Sequence, residues 1–203
     1  LVALACCAPD AQAAGRVFEE PRGVWNREVT QNNIQDTICV PGWTKTVRPP
    51  VSYTNAVKRL LWVDEASARE CVVKTHAGYD ASDDAAAWTQ AVNDCAGQLH
   101  ATKAELSDED AEHLAQYELD HKFPLTGGGH PYDIRNLWLQ PWSCKKQETA
   151  APDFECVGNE SEAAEVKDKV EVKLNRAICV DGRPLRSAQR EFAKGWKQFG
   201  AQQ

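Results

Sequence analysis

Six of the eight cysteines, at positions 39, 71, 95, 144, 156 and 179, restrict this chain more than any other feature. No CxxC pair occurs among them, and the histidines at 76, 100, 113, 121 and 130 miss zinc-ligand spacing, so a structural zinc knuckle is disfavoured. An even set of thiols in an exported chain reads as a disulfide framework. Nearness along the chain favours Cys71 with Cys95 and Cys144 with Cys156, which leaves Cys39 with Cys179. Other connectivities stay open at this level.

Export is read from the first residues, "LVALACCAPDAQAAGRV". An apolar run followed by Ala11-Gln12-Ala13, a small-x-small cleavage site, reads as a truncated secretory signal over residues 1–13, and its removal takes Cys6 and Cys7 with it. One alternative is a lipoprotein anchored near Cys6 or Cys7, where the preceding residues match a lipobox poorly. Another is an apolar N-terminal helix of the folded domain. No other stretch approaches the roughly 18 apolar residues that span a bilayer. The expectation is a secreted or extracytoplasmic protein with no membrane contact once the signal is gone.

The 203 residues, 42% of them hydrophobic, suffice for one solid core, and residues 14–203 are read as a single domain. The formal net charge of -7 has the wrong sign for holding nucleic acid by bulk electrostatics, so a polyanionic partner would need a local basic patch. Residues 14–33 carry no period and are expected to run over the surface. Residues 34–61 hold Pro and Gly punctuation and a β-prone piece at Thr44–Val47, then an apolar-spaced end with Val57, Leu60 and Leu61 that predicts a helix.

Residues 64–116 turn rich in Ala, Asp and Glu, with Trp88, Val92, Cys95 and Leu99 on one helical face and a capping-box-like start at Ser107. This block reads as a helical insertion. A strand ending near Leu125, a turn on Gly127, Gly128 and Gly129, and a second strand from Ile134 to Leu139 should follow. After a polar loop over 141–161, Val166, Val170, Leu174 and Ile178 repeat every four residues and predict an amphipathic helix ended by Asp181-Gly182. One final helix carries Leu185, Ala188, Phe192, Trp196 and Phe199. Strand, turn, strand, loop, helix is a ββα order spanning about 117–180, and the fold class is α+β.

Four blocks in that order, "DHKFPLTGGG", "DIRNLWLQPW", "VKDKVE" and "ICVDGRPLRSAQREFAKGW", resemble the HNH nuclease superfamily. The resemblance is closest to small exported HNH-like proteins that carry a "CVPGWTKTVRPP"-type segment upstream, and it covers about half the chain. It implies a ββα-metal finger with flanking helices and one divalent cation, magnesium first, with manganese or zinc as alternatives. By resemblance His121 is the general base, Asp120 a metal ligand, and Asn136 the residue that ties the loop and orients the histidine. Read without the family, Asn136 caps a turn beside Asp133.

One element departs from the family pattern. Where an Asn or His commonly supplies the second metal ligand, this chain has Ala163 and Ala164. Glu162 or Glu165 could substitute from the same turn, or Asp120 could hold the cation with waters. Lys167 reads either as the partner of a solvent-exposed i, i+4 pair with Glu171 or as a catalytic contact to the scissile phosphate.

From Lys167 to Lys197 nine Lys or Arg stand against four Asp or Glu, a local net of +5. Arg183, Arg186, Arg190 and Lys194 are therefore candidate nucleic-acid contacts, with Lys45, Arg48, Lys58 and Arg59 as an extension. A charge-rich helix face is otherwise simply solvated. Trp43, Trp62, Trp138, Trp142 and Trp196 read as core before base-stacking platforms.

The sequence thus points to a metal-dependent endonuclease acting on DNA or RNA. The rival readings are a catalytically degenerate HNH-like module that binds nucleic acid or protein without cutting, and a purely structural secreted domain. Nothing in it bears on oligomeric state.

Overall fold

The computed structural model of the protein describes residues 18–79 and 84–202. The expected signal at 1–13, with Cys6 and Cys7, lies outside them. Nine α-helices and a two-stranded antiparallel sheet are found among the described residues, an α+β fold.

A short and a longer helix follow one another on either side of Pro49 and Pro50. α1 (Trp43–Val47) replaces the β-prone piece expected there, because Pro49 and Pro50 follow at once and give the segment no strand to pair with. α2 (Val51–Val63) buries Tyr53, Ala56, Val57, Leu60 and Leu61, the i, i+3, i+4 stripe of an amphipathic helix.

α3 (Glu65–Ala77), α4 (Ala85–Gln98) and α5 (Asp108–Leu114) make up the expected helical block. Each starts on a side-chain cap: Asp64 accepts from Ser67 N–H, Asp84 from Ala86 N–H, and Ser107 from Asp110 N–H. Trp88, Val92 and Cys95 are fully buried. They share one core with Tyr117, Ile134, Leu137 and Leu139, so the block packs on the sheet as part of its core.

β1 (Tyr117–His121) and β2 (Leu137–Pro141) pair in the register Tyr117 to Pro141, Asp120 to Trp138 and His121 to Leu137. Both strands are shorter than expected, and residues 122–136 between them form a long folded loop. Gly128 sits at φ +86°, open to glycine at little strain, and a Cβ on Gly129 would overlap the Phe123 carbonyl.

Residues 18–33 do not merely cross the surface. Trp25 bridges Gly129 and stacks on Phe123 with ring centroids 4.0 Å apart, and Val29 is buried. An apolar side chain every few residues was too sparse a signal for a segment that docks without regular structure.

The 141–161 stretch contains α6 (Cys144–Ala150) in place of a plain loop. Its buried Gln147 donates to the Trp142 and Val157 carbonyls, supplying locally the hydrogen bonds that hold the connection together.

α7 (Ala164–Cys179) buries Val170, Leu174 and Ile178 as expected and closes before Gly182 at φ +72°. The single last helix expected is two, α8 (Leu185–Lys194) and α9 (Trp196–Ala201), broken at Gly195. Phe192, Trp196 and Phe199 join Val29, Ile34, Ile38 and Leu174 in a second core. Trp62, Trp138 and Trp196 are buried, which is the core reading of those tryptophans.

Three disulfides follow the expected connectivity. Cys39–Cys179, Cys71–Cys95 and Cys144–Cys156 have Cα separations of 5.4, 6.0 and 5.2 Å. The first ties the turn before α1 to the last residue of α7. No helix of the described residues is long and apolar enough to cross a membrane.

Candidate active site

A cleft of about 80 Å³ opens where β1, α1 and α7 meet, lined by Arg48, Glu118, Asp120, His121, Asp168 and Glu171 among others. Strand period sends Asp120 and His121 to opposite faces. They reach one cleft because β1 ends at His121 and the Asp120 carboxylate turns back along the chain, Oδ1 accepting from the His121 N–H at 2.7 Å.

The His121 ring is buried, with Nε2 3.0 Å from the Pro131 carbonyl oxygen. A carbonyl only accepts, so Nε2 carries the proton in this contact and the lone pair resides on Nδ1. Burial lowers the imidazole to about 4, against the opposing pull of the Asp120 charge. It is therefore neutral at neutral pH, the form that can take a proton.

Asn136 is fully buried and all its amide capacity is used on backbone. Its Oδ1 accepts from the Phe123 N–H at 2.9 Å and the Val24 N–H at 3.2 Å; its Nδ2 donates to the Phe123 carbonyl at 3.0 Å and the His130 carbonyl at 2.8 Å. Three chain segments are fixed by one side chain. Since His130 precedes Pro131, Asn136 also sets the carbonyl that holds His121.

Lys167 corrects both of its expected roles. It is 0% exposed, neither on the solvent face nor available to a phosphate. Its ammonium donates to Asp120 Oδ2 at 2.8 Å, to the His121 carbonyl at 2.7 Å and to Glu171 Oε1 at 2.5 Å. All three protons are placed, and the ammonium is held charged by the two carboxylates despite the desolvation that opposes it. Lys167 is thus a positioning residue beneath the cleft.

Glu162 and Glu165 are not brought to the cleft. Glu162 pairs with Lys197, and Glu165 accepts from the Ser143 N–H and hydroxyl, both at 2.9 Å, at the start of α6. Ala163 and Ala164 are each 1% exposed and serve packing. The carboxylates that do line the cleft beside Asp120 are Glu118, Asp168 and Glu171, none of them singled out by sequence as a ligand. Asp168 stands next to Lys167 and Glu118 two residues before Asp120, and that adjacency was the available signal.

Their electrostatics are those of crowded acids. Burial first, then the Asp120 charge, pushes Glu118 up to about 7; the same two causes raise Asp168. Burial pushes Glu171 upward as well, with the Lys167 ammonium opposing it and the Asp120 charge adding to it.

Among the described residues no three His, Cys, Asp or Glu side chains form a preformed metal-ligand cluster. The donor chemistry still fits a hard divalent cation: all are carboxylate oxygens, each repelled by its neighbours, and each Asp120 oxygen keeps a lone pair beyond its present bond.

On the basic side, Arg186, Arg190 and Lys194 are exposed on successive turns of α8, while Arg183 is paired with Glu191 at 2.8 Å. α8 is tied to the loop next to the cleft through Gln189, which donates to the carbonyl of Gly127, the neighbour of the cleft-lining Thr126, at 2.9 Å.

No family model, curated protein or solved structure matches the chain.

Proposed function

We propose that the protein is a divalent-metal-dependent endonuclease of the HNH type, extracytoplasmic, that hydrolyses phosphodiester bonds in DNA or RNA. The observation that carries the reading is the neutral, tautomer-fixed His121 beside Asp120 in a cleft walled by α7. Three disulfides support an oxidising compartment.

In this reading Nδ1 of His121 takes a proton from water as the water oxygen bonds to phosphorus. The bond from phosphorus to the leaving sugar oxygen breaks, and that oxygen takes a proton from solvent. A cation on Asp120 and Asp168, completed by water, would neutralise charge building on the phosphate. Lys167 fixes the Asp120 carboxylate and the His121 backbone, and Asn136 fixes the Pro131 carbonyl through its neighbour. Positioned groups of this kind lower the barrier by avoiding reorganisation.

A second reading, the degenerate module, draws on one observation: an ammonium already neutralises Asp120. A plasmid-nicking assay with magnesium or manganese, with and without chelator, separates the two. Metal-dependent nicking supports the nuclease, and binding without nicking supports the module.

A further inference from the structure

A groove of about 420 Å³ lies along α2, lined by Asn55, Lys58, Arg59 and Lys103, with Leu106 and Leu114 among its apolar members. Thr54 lines the cleft and Asn55, the next residue, lines the groove. The two are also joined through β1. Lys58 donates to the Tyr117 carbonyl at 2.8 Å, and Glu118 beside it faces the cleft.

The groove's charge is unspent. Among the described residues Lys58, Arg59 and Lys103 make no ion pair, and Asp108 is the one acid of the lining. Arg59 uses Nε on the Ala101 carbonyl at 3.2 Å, which leaves its terminal nitrogens to a ligand. Burial lowers both Lys58 and Arg59, as for cations withdrawn from water without a carboxylate in contact; Glu118 acts on Lys58 in the opposite sense. Arg48, exposed at the cleft, makes no ion pair either among the described residues and extends the same path. Near α8 Arg183 and Lys197 are each paired with a glutamate, and Arg186, Arg190 and Lys194, though without an ion pair among the described residues, line neither the groove nor the cleft.

Three cations without an ion pair, set among apolar residues and one residue along α2 from a cleft suited to a scissile phosphate, suit a sugar-phosphate backbone. We infer that the α2 groove, with Lys58, Arg59 and Lys103, is the subsite for nucleic-acid phosphates flanking the cut, and that the strand runs along α2 rather than over α8. The inference rests on the nuclease reading and specifies where its substrate lies.

Fluorescence anisotropy of a labelled single-stranded oligodeoxynucleotide, titrated in chelator over a salt series, tests it. Arg59→Ala with Lys103→Ala removes two phosphate contacts and should flatten the slope of log affinity against log salt by about 1.4. Lys103→Glu, at an exposed position without a partner, weakens binding without endangering the fold. Arg190→Ala with Lys194→Ala is the comparison on α8. The groove is overturned if the α8 pair flattens the slope while the α2 variants keep that of wild type, and plasmid nicking by the same wild-type protein then leaves the nuclease reading standing. Wild type that neither binds nor nicks removes both.

Discussion

The ammonium of Lys167 and the carboxylate of Asp120 lie 2.8 Å apart at the floor of the cleft, with Lys167 wholly buried. Glu171 shares the same cation from one turn further along α7. A buried cation between two acids commits all three: removing it strands charge that water cannot reach. Lys167→Ala is expected to destabilise the protein by about 3–5 kcal/mol in urea unfolding. Lys167→Met with Glu171→Gln, which removes one charge of each sign, should cost clearly less. Equal losses would mean the triad is not the source of the effect.

Asn136 makes four backbone hydrogen bonds while fully buried. Asn136→Asp keeps shape but cannot donate to the Phe123 and His130 carbonyls when ionised. Each stranded polar group costs about 1–3 kcal/mol, so the variant should lose at least about 2 kcal/mol and lose activity beyond its loss of folded protein. A stable variant with full activity would show that the loop does not depend on this amide.

Glu118, raised to about 7 by burial and then by the Asp120 charge, holds a proton in the folded chain that the unfolded chain releases near 4.5. Stability contributed by a raised carboxyl is fully present below the unfolded value and is lost as pH climbs through the folded one. The melting temperature in chelator should therefore fall between about pH 4.5 and pH 7 through this group. A bound divalent cation favours the ionised forms, so magnesium should restore stability increasingly as pH rises. A magnesium effect that shrinks with rising pH would contradict the carboxylate site.

Cys39–Cys179 closes a separation of 140 residues and anchors the segment that brings Thr44 and Arg48 to the cleft. Replacing both cysteines by serine should cost roughly 2–5 kcal/mol, measured by denaturant unfolding under non-reducing conditions. A change within error would mean that the two cores hold this end without the crosslink.

Much of the frame is legible in the sequence. Cysteine spacing favoured the two local pairs and left Cys39 with Cys179 as the remainder, the four-residue repeat predicted α7, and Ser107 predicted the start of α5; the short-range signals are the ones a sequence displays. Lys167 was not legible, since a lysine beside an apolar stripe reads as solvent-facing and only the acid it meets from β1 can hold it inside. Glu162 and Glu165 looked available because sequence shows residue type and not direction; Lys197 and Ser143 take them instead. Glu118 and Asp168 joined the cleft through tertiary packing of β1 against α7, which no period encodes. At Thr44–Val47 β propensity gave way to context, as it does where no partner strand exists.

The central claim is that His121 is a base in a working cleft. Nicking of supercoiled plasmid by His121→Ala, against wild type and in parallel with oligonucleotide binding, tests it most directly. The account predicts metal-dependent nicking by wild type, abolished by chelator, and a loss of roughly 100-fold or more in the variant with affinity nearly unchanged. Nicking by His121→Ala at the wild-type rate, or no nicking by wild type with any divalent ion while binding persists, would contradict it.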